Sequence, residues 1–225
     1  MPDPIETPRR NLTGAVVPAL AAAALAGLGM LALVSQNRGR QGAEAPPENC
    51  ILGGADLVGG PIELVDSNGA SVTQADFAGE PAVVYFGFTH CPDVCPTTMY
   101  TLAEALAEPG GYDVQPVLVS VDPERDTPEI MGAYARTEGF PPGLLGLTGT
   151  PAQIEAAKGA FRVYGARAPL EGGNGTYNID HTSFLYVMDG QWRTRAIVRT
   201  IGASPEQVAA CIAVGLDGQV VGNRE

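Results

Sequence analysis

Two cysteines, Cys91 and Cys95, stand four residues apart in the stretch FGFTHCPDVCPTT, Phe86 to Thr98. Positions i and i+4 share a helix face, so both sulfurs can address one ion. Cα atoms at that spacing lie roughly 6 Å apart, which also permits a disulfide. The pair therefore reads as a dithiol, a redox-active disulfide or two metal ligands. It follows a β-rich run and precedes a helical pattern. A helix N-terminus carries partial positive charge and favours thiolate, the form that binds metal or attacks disulfides. Pro92 and Pro96 each follow a cysteine. Pro96 is expected to open the regular helix, leaving Cys91 on a loop and Cys95 near the N-cap. The plainer alternative is two cysteines packed inertly against a core strand. A proline-flanked pair at a strand-to-helix junction argues for an accessible, preorganised place instead.

The chain has two histidines, His90 and His181. His181 stands two residues before the start of the apolar run SFLYVM, Ser183 to Met188. If that run pairs beside Pro81 to Phe88, His181 falls near the cysteine edge. On spacing alone, a single histidine at a strand start is as readily a surface or hydrogen-bonding residue as a ligand. His90 reads as a polar residue at the mouth of the site.

The elements that must position these groups follow from local pattern. Pro81 to Phe88 (PAVVYFGF) and Val114 to Val121 (VQPVLVSV) are β-rich apolar runs, suited to strands buried on both faces. Thr97 to Leu106, Pro128 to Glu138 and Pro151 to Phe161 read as helices, the last two opened by Thr-Pro. Gly59 to Val65 and Ser71 to Val72 flank a turn at Asp66 to Gly69, with a helical turn at Thr73 to Phe77. Gly165 to Asn178 is Gly-rich, an exposed loop or hairpin. Ser183 to Met188 and Trp192 to Val198, joined by Asp189-Gly190, predict an antiparallel pair. Ser204 caps a final helix, Pro205 to Leu216. Strand–helix–strand units imply right-handed parallel crossovers, so an α/β domain with a mixed sheet and helices on both faces is expected.

Upstream, Gly14 to Val34 is apolar over 21 residues, long enough to span a bilayer as a helix. It predicts a retained anchor rather than a cleaved signal, after a short cytoplasmic segment 1–13 and before a polar linker 35–49. Arg9 and Arg10 on one side balance Arg38 and Arg40 on the other, so charge does not set the orientation. The folded domain is expected over 50–225. The net charge of −12 disfavours nucleic-acid binding. Cys50 and Cys211 could pair in an oxidising compartment, or remain two separate thiols.

FGFTHCPDVCP, VSVDPERDTP (Val119 to Pro128) and DHTSFLYV (Asp180 to Val187) together resemble the Sco/SenC family of copper proteins. The resemblance covers about residues 55 to 216. It implies a thioredoxin-like fold tethered to a mitochondrial inner or bacterial cytoplasmic membrane. It implies one copper per monomer held by Cys91, Cys95 and His181. It also implies delivery to the dinuclear copper site of cytochrome c oxidase, with oxidase subunit II, a periplasmic copper donor and a thiol reductant as partners. The expected location is the inner membrane, single-pass, with the domain facing the periplasm. Two thiolates and an imidazole suit Cu(I). Cu(II) wants a harder ligand, for which Asp122 and Asp126 are candidates. They are also candidates for orienting His181, or simply for making turns and capping a helix. Zn(II) accepts the same three ligands.

A metallochaperone, rather than a conventional enzyme, is the leading expectation. A membrane-tethered thiol–disulfide oxidoreductase that reduces client cysteines is the alternative, although the extra residue in CxxxC departs from the thioredoxin CxxC. A peroxiredoxin-like peroxidase ranks last, for want of an arginine placed beside Cys91.

Overall fold

The computed structural model describes residues 46–108, 112–169 and 177–217. The expected anchor at 14–34 lies outside the described residues, as does the linker up to 45. Among the described residues no helix is long and apolar enough to cross a membrane.

The chain order is β1 (Cys50–Ile51), β2 (Glu63–Val65), β3 (Ser71–Thr73), β4 (Ala82–Gly87), α1 (Val94–Ala107), β5 (Gln115–Ser120), α2 (Pro128–Ala135), β6 (Leu145–Leu147), α3 (Pro151–Phe161), β7 (Gly165–Pro169), β8 (Tyr177–His181), β9 (Phe184–Met188), β10 (Thr194–Arg199) and α4 (Pro205–Asp217). Six strands form one sheet in the order β1-β10-β9-β4-β5-β6. β4, β5 and β6 run parallel, and β9, β10 and β1 antiparallel. This is the mixed sheet of a thioredoxin-like domain.

β4 is the hub, and all six of its residues are buried. Alternation along it divides the core. Val83, Tyr85 and Gly87 face one side and Val84 and Phe86 the other. On the first side lie α1 and α4, which pack on each other. On the second, Phe161 of α3 meets the rings of Phe86 and Tyr186 at 5.1 and 5.2 Å. Burying each such aromatic contributes about 1.5–3 kcal/mol.

Capping chemistry sets the helix starts as expected. Thr127 and Thr150 accept from the N–H groups of Ile130 and Gln153, each with proline in the first turn. Ser204 and Gln207 bond each other reciprocally at the start of α4.

Three details differ from expectation, and the Gly-rich stretch takes the hairpin form that is one of its two expected alternatives. α1 starts at Val94, before Pro96. The proline is the third helical residue, where no N–H has an intrahelical partner, so its ring costs no bond. The first helical bond then runs from Thr97 N–H to Asp93 C=O at 3.1 Å. β10 starts at Thr194, because Trp192 takes a left-handed φ of 58° and closes the turn. The Gly-rich stretch forms the β7–β8 hairpin on either side of 170–176, which lie outside the described residues. β1 and β6, of two and three residues, are too short to carry a period.

Cys50 and Cys211 form a disulfide, with Cα atoms 5.5 Å apart. It fastens the edge strand β1 to α4.

Candidate metal centre

β4 ends at Gly87 and hands the chain to a loop over Phe88 to Asp93, which carries Cys91, before α1 begins. Asp126 holds this loop. It is fully buried and accepts from the Thr89 N–H, the Thr89 hydroxyl (2.6 Å) and the Ser120 hydroxyl (2.6 Å). Burial pushes its carboxyl pKa up, against the pull of those donors.

Cys91 is half-buried and Cys95 buried. Cys91 Sγ accepts from the Cys95 backbone N–H at 3.4 Å. Its pKa falls to about 4. The Cys95 thiol donating to it is the chief cause, opposed by burial and aided by the N–H groups of Asp93 and Cys95. The Cys95 pKa is pushed up, because Cys91 keeps the shared proton on it and because it is buried. The pair therefore holds one thiolate and one thiol near neutrality, with the charge on the less buried sulfur.

His181 closes β8. The antiparallel pairing of β9 with β4, Leu185 opposite Tyr85, brings the preceding residues back to the end of β4 where the cysteine loop begins. His181 Nδ1 lies 2.9 Å from the Thr182 carbonyl, which can only accept. Nδ1 therefore carries the proton, and Nε2 presents its lone pair toward Cys95 Sγ, 3.4 Å away. The imidazole is wedged between two aromatic edges, Tyr85 at 6.0 Å and Phe88 at 5.7 Å. One ligand atom each from Cys91, Cys95 and His181 lies within 4.8 Å of the others.

No carboxylate joins that group among the described residues. Of the alternatives for Asp122 and Asp126, turn-making is the one met, and neither joins the group of possible ligands. Asp126 is spent on the Thr89 loop. Asp122 pairs with Arg125 Nε and accepts from the Tyr177 hydroxyl at 2.8 Å. Arg125 also donates to the Tyr177 carbonyl at 3.0 Å, and its guanidinium stacks 3.8 Å over the Tyr177 ring. The two acids thus do turn chemistry. Asp122 also ties the 121–126 loop to the far end of β8, the strand that delivers His181. His90 is half-exposed, with Nδ1 3.0 Å from Thr89 Oγ1, outside the convergent group.

Sequence reasoning missed two residues. Gly87 is bare because a Cβ there would stand 2.8 Å from the Tyr85 ring and 3.1 Å from Cys95 Sγ. Tyr85 reaches the same sulfur with its hydroxyl, at 3.9 Å. The available signal was a lone phenol on an apolar strand, two residues before a glycine and on the same face.

Comparison with known proteins places these features in a wider set. A family model described as SCO1/SenC matches residues 52–216. SCO1 homolog 1, a mitochondrial protein of Arabidopsis thaliana, is 41% identical over 138 residues, 60% of this chain and 40% of that protein. Protein SenC of Rhodobacter capsulatus is 40% identical over 163 residues, 71% of each chain. The crystal structure of Arabidopsis thaliana ScoI with copper bound superposes with a TM-score of 0.64 at 33% identity, over 72% of this chain and 99% of that one. The chain therefore spans well under two thirds of the length of the Arabidopsis SCO1 homologue.

Proposed function

Because the chain belongs to the SCO1/SenC family, we propose that it is a copper metallochaperone whose cargo is held by Cys91, Cys95 and His181. The observation that carries this reading is the meeting of two sulfurs and an imidazole nitrogen within 4.8 Å, with no hard ligand beside them among the described residues. The chemistry of the donors fits the ion. One sulfur is already thiolate, the imidazole is locked with Nε2 free, and thiolate-rich, low-coordinate sites favour Cu(I) over harder ions. Copper binding displaces the remaining proton from Cys95. Cys91 is the outer sulfur, placed to pass the ion to an incoming thiolate.

The recipient in this reading is the dinuclear copper site of cytochrome c oxidase, on subunit II, with a periplasmic donor loading the chain and a thiol reductant keeping the cysteines open. Residues 14–34 anchor the chain in the inner membrane. Segment 1–13 lies inside, 35–49 acts as a tether, and 50–225 forms the copper-binding domain on the periplasmic side. Titration of the reduced full-length chain with Cu(I) against a competing chelator tests the proposal. One equivalent should bind, and Cys91→Ser, Cys95→Ser and His181→Ala should each abolish the tight phase. Retention of that phase in any of the three removes that residue from the set.

The low Cys91 pKa also favours a second reading, thiol–disulfide exchange with client cysteines. The two separate on His181. Exchange with a model disulfide would survive His181→Ala, whereas copper carriage would not.

A further inference from the structure

The Tyr85 hydroxyl sits where the elements that supply the donor atoms meet. Tyr85 is fully buried in β4, and its oxygen lies 3.9 Å from Cys95 Sγ. The side chains of Thr98 and Ser183 neighbour it as well. Thr98 stands one turn along α1 from Cys95, and Ser183 two residues beyond His181. The Tyr85 ring meets the His181 imidazole edge-on, with an interplanar angle of 74°. Gly87 makes the room, since a Cβ would press on both the ring and the sulfur.

Phenylalanine would fill the same ring volume without bringing a polar oxygen into the core, which is costly to desolvate. The oxygen's neighbours show what it is bonded to. Two hydroxyls stand near it, and the group it reaches with a hydrogen bond is a sulfur. A reduced sulfur accepts a hydrogen bond, most strongly as thiolate, whereas a disulfide sulfur is a poor acceptor.

We propose that Tyr85 is a positioning residue whose hydroxyl donates to Cys95 Sγ, favouring the reduced pair over the disulfide and favouring Cu(I) over Cu(II) on the loaded site. The hydrogen bond draws electron density from the sulfur, and sulfur-bonded donors of this kind tune copper–thiolate sites toward the lower oxidation state. The copper half of the proposal rests on the metallochaperone reading, and the thiol half does not. In the thiol half, the protein dithiol and one glutathione disulfide give the protein disulfide and two glutathione thiols. Two electrons pass to glutathione, and its two thiols take the Cys95 proton and, because Cys91 is already thiolate, one proton from solvent.

The test compares Tyr85→Phe in the full-length chain with Tyr186→Phe, which removes an oxygen from a buried phenol on the adjacent strand β9. Equilibration of the metal-free proteins with glutathione should show Tyr85→Phe shifted about threefold toward the disulfide, about 14 mV for a two-electron couple. Tyr186→Phe should match the unaltered chain. Competition for Cu(I) should show affinity lowered about tenfold in Tyr85→Phe, with the sulfur-to-Cu(II) charge-transfer band moved to longer wavelength. Thr98→Val, which loosens the hydroxyl without touching the ring, should move both readouts the same way by less. An unaltered chain that takes up no Cu(I) contradicts the carrier reading, and the glutathione equilibrium then decides the Tyr85 proposal alone. Tyr85→Phe and Thr98→Val both matching Tyr186→Phe in the glutathione equilibrium would overturn it.

Discussion

Cys50 and Cys211 lie 161 residues apart in sequence and 5.5 Å apart at Cα, joined as a disulfide between β1 and α4. Cys91 and Cys95 lie four apart and are not joined to each other. Residue type is the same in both pairs, and surroundings separate them. Cys211 sits mid-helix, where its backbone N–H is already used within the helix and no helix end offers it a donor. Cys91 accepts from the Cys95 thiol and from a backbone N–H at the first turn of α1, and is held as thiolate by those donors. One pair is therefore a fastening and the other a reactive site. A cysteine's role is set by the donors around its sulfur more than by the distance to its partner.

This contrast breaks most sharply under ligand removal. His181→Ala or Cys95→Ser should lower Cu(I) affinity by more than about 100-fold in a chelator competition, with melting altered far less. The fastening should respond the opposite way. Cys50→Ser should cost about 2–5 kcal/mol in denaturant unfolding while Cu(I) affinity stays unchanged.

Gly87→Ala probes the packing between sheet and site. Its Cβ would crowd Tyr85 and Cys95, so we expect about 1–3 kcal/mol of destabilisation together with weaker Cu(I) binding, because the clash falls on a ligand. A loss of stability with binding untouched would mean that the strand relaxes away from the sulfur.

A separate test is a pH dependence. The folded Cys91 pKa of about 4 lies below the roughly 8.5 of an unstructured thiol. The fold therefore binds fewer protons at this group, and its contribution grows as pH rises between those values and is lost as pH falls through the lower one. The stability gap between the reduced chain and Cys91→Ser should widen from pH 5 to pH 8. A gap that is flat or narrowing would place the thiolate elsewhere.

Much of this was legible in the sequence because the relevant patterns are local. The buried runs of β4 and β5, the Thr-Pro helix starts and the Asp-Gly turn each depend on neighbouring residues. The closeness of His181 to the cysteines was legible only through the pairing of β9 with β4, a long-range register that the apolar run suggested but did not specify. What stayed hidden depends on contacts between distant elements. The carboxylates in VDPERD look like ligands by type. Their real partners, Thr89, Ser120, Arg125 and Tyr177, come from loops and strands that composition does not connect. Gly87 and Tyr85 read as ordinary strand residues until α1 sets a sulfur against both.

X-ray absorption at the copper edge of the Cu(I)-loaded, reduced chain tests the central claim most directly. The account predicts two sulfur neighbours and one nitrogen neighbour, with the nitrogen lost in His181→Ala and no change in Cys50→Ser. A first shell without sulfur, or one that His181→Ala leaves intact, would contradict it.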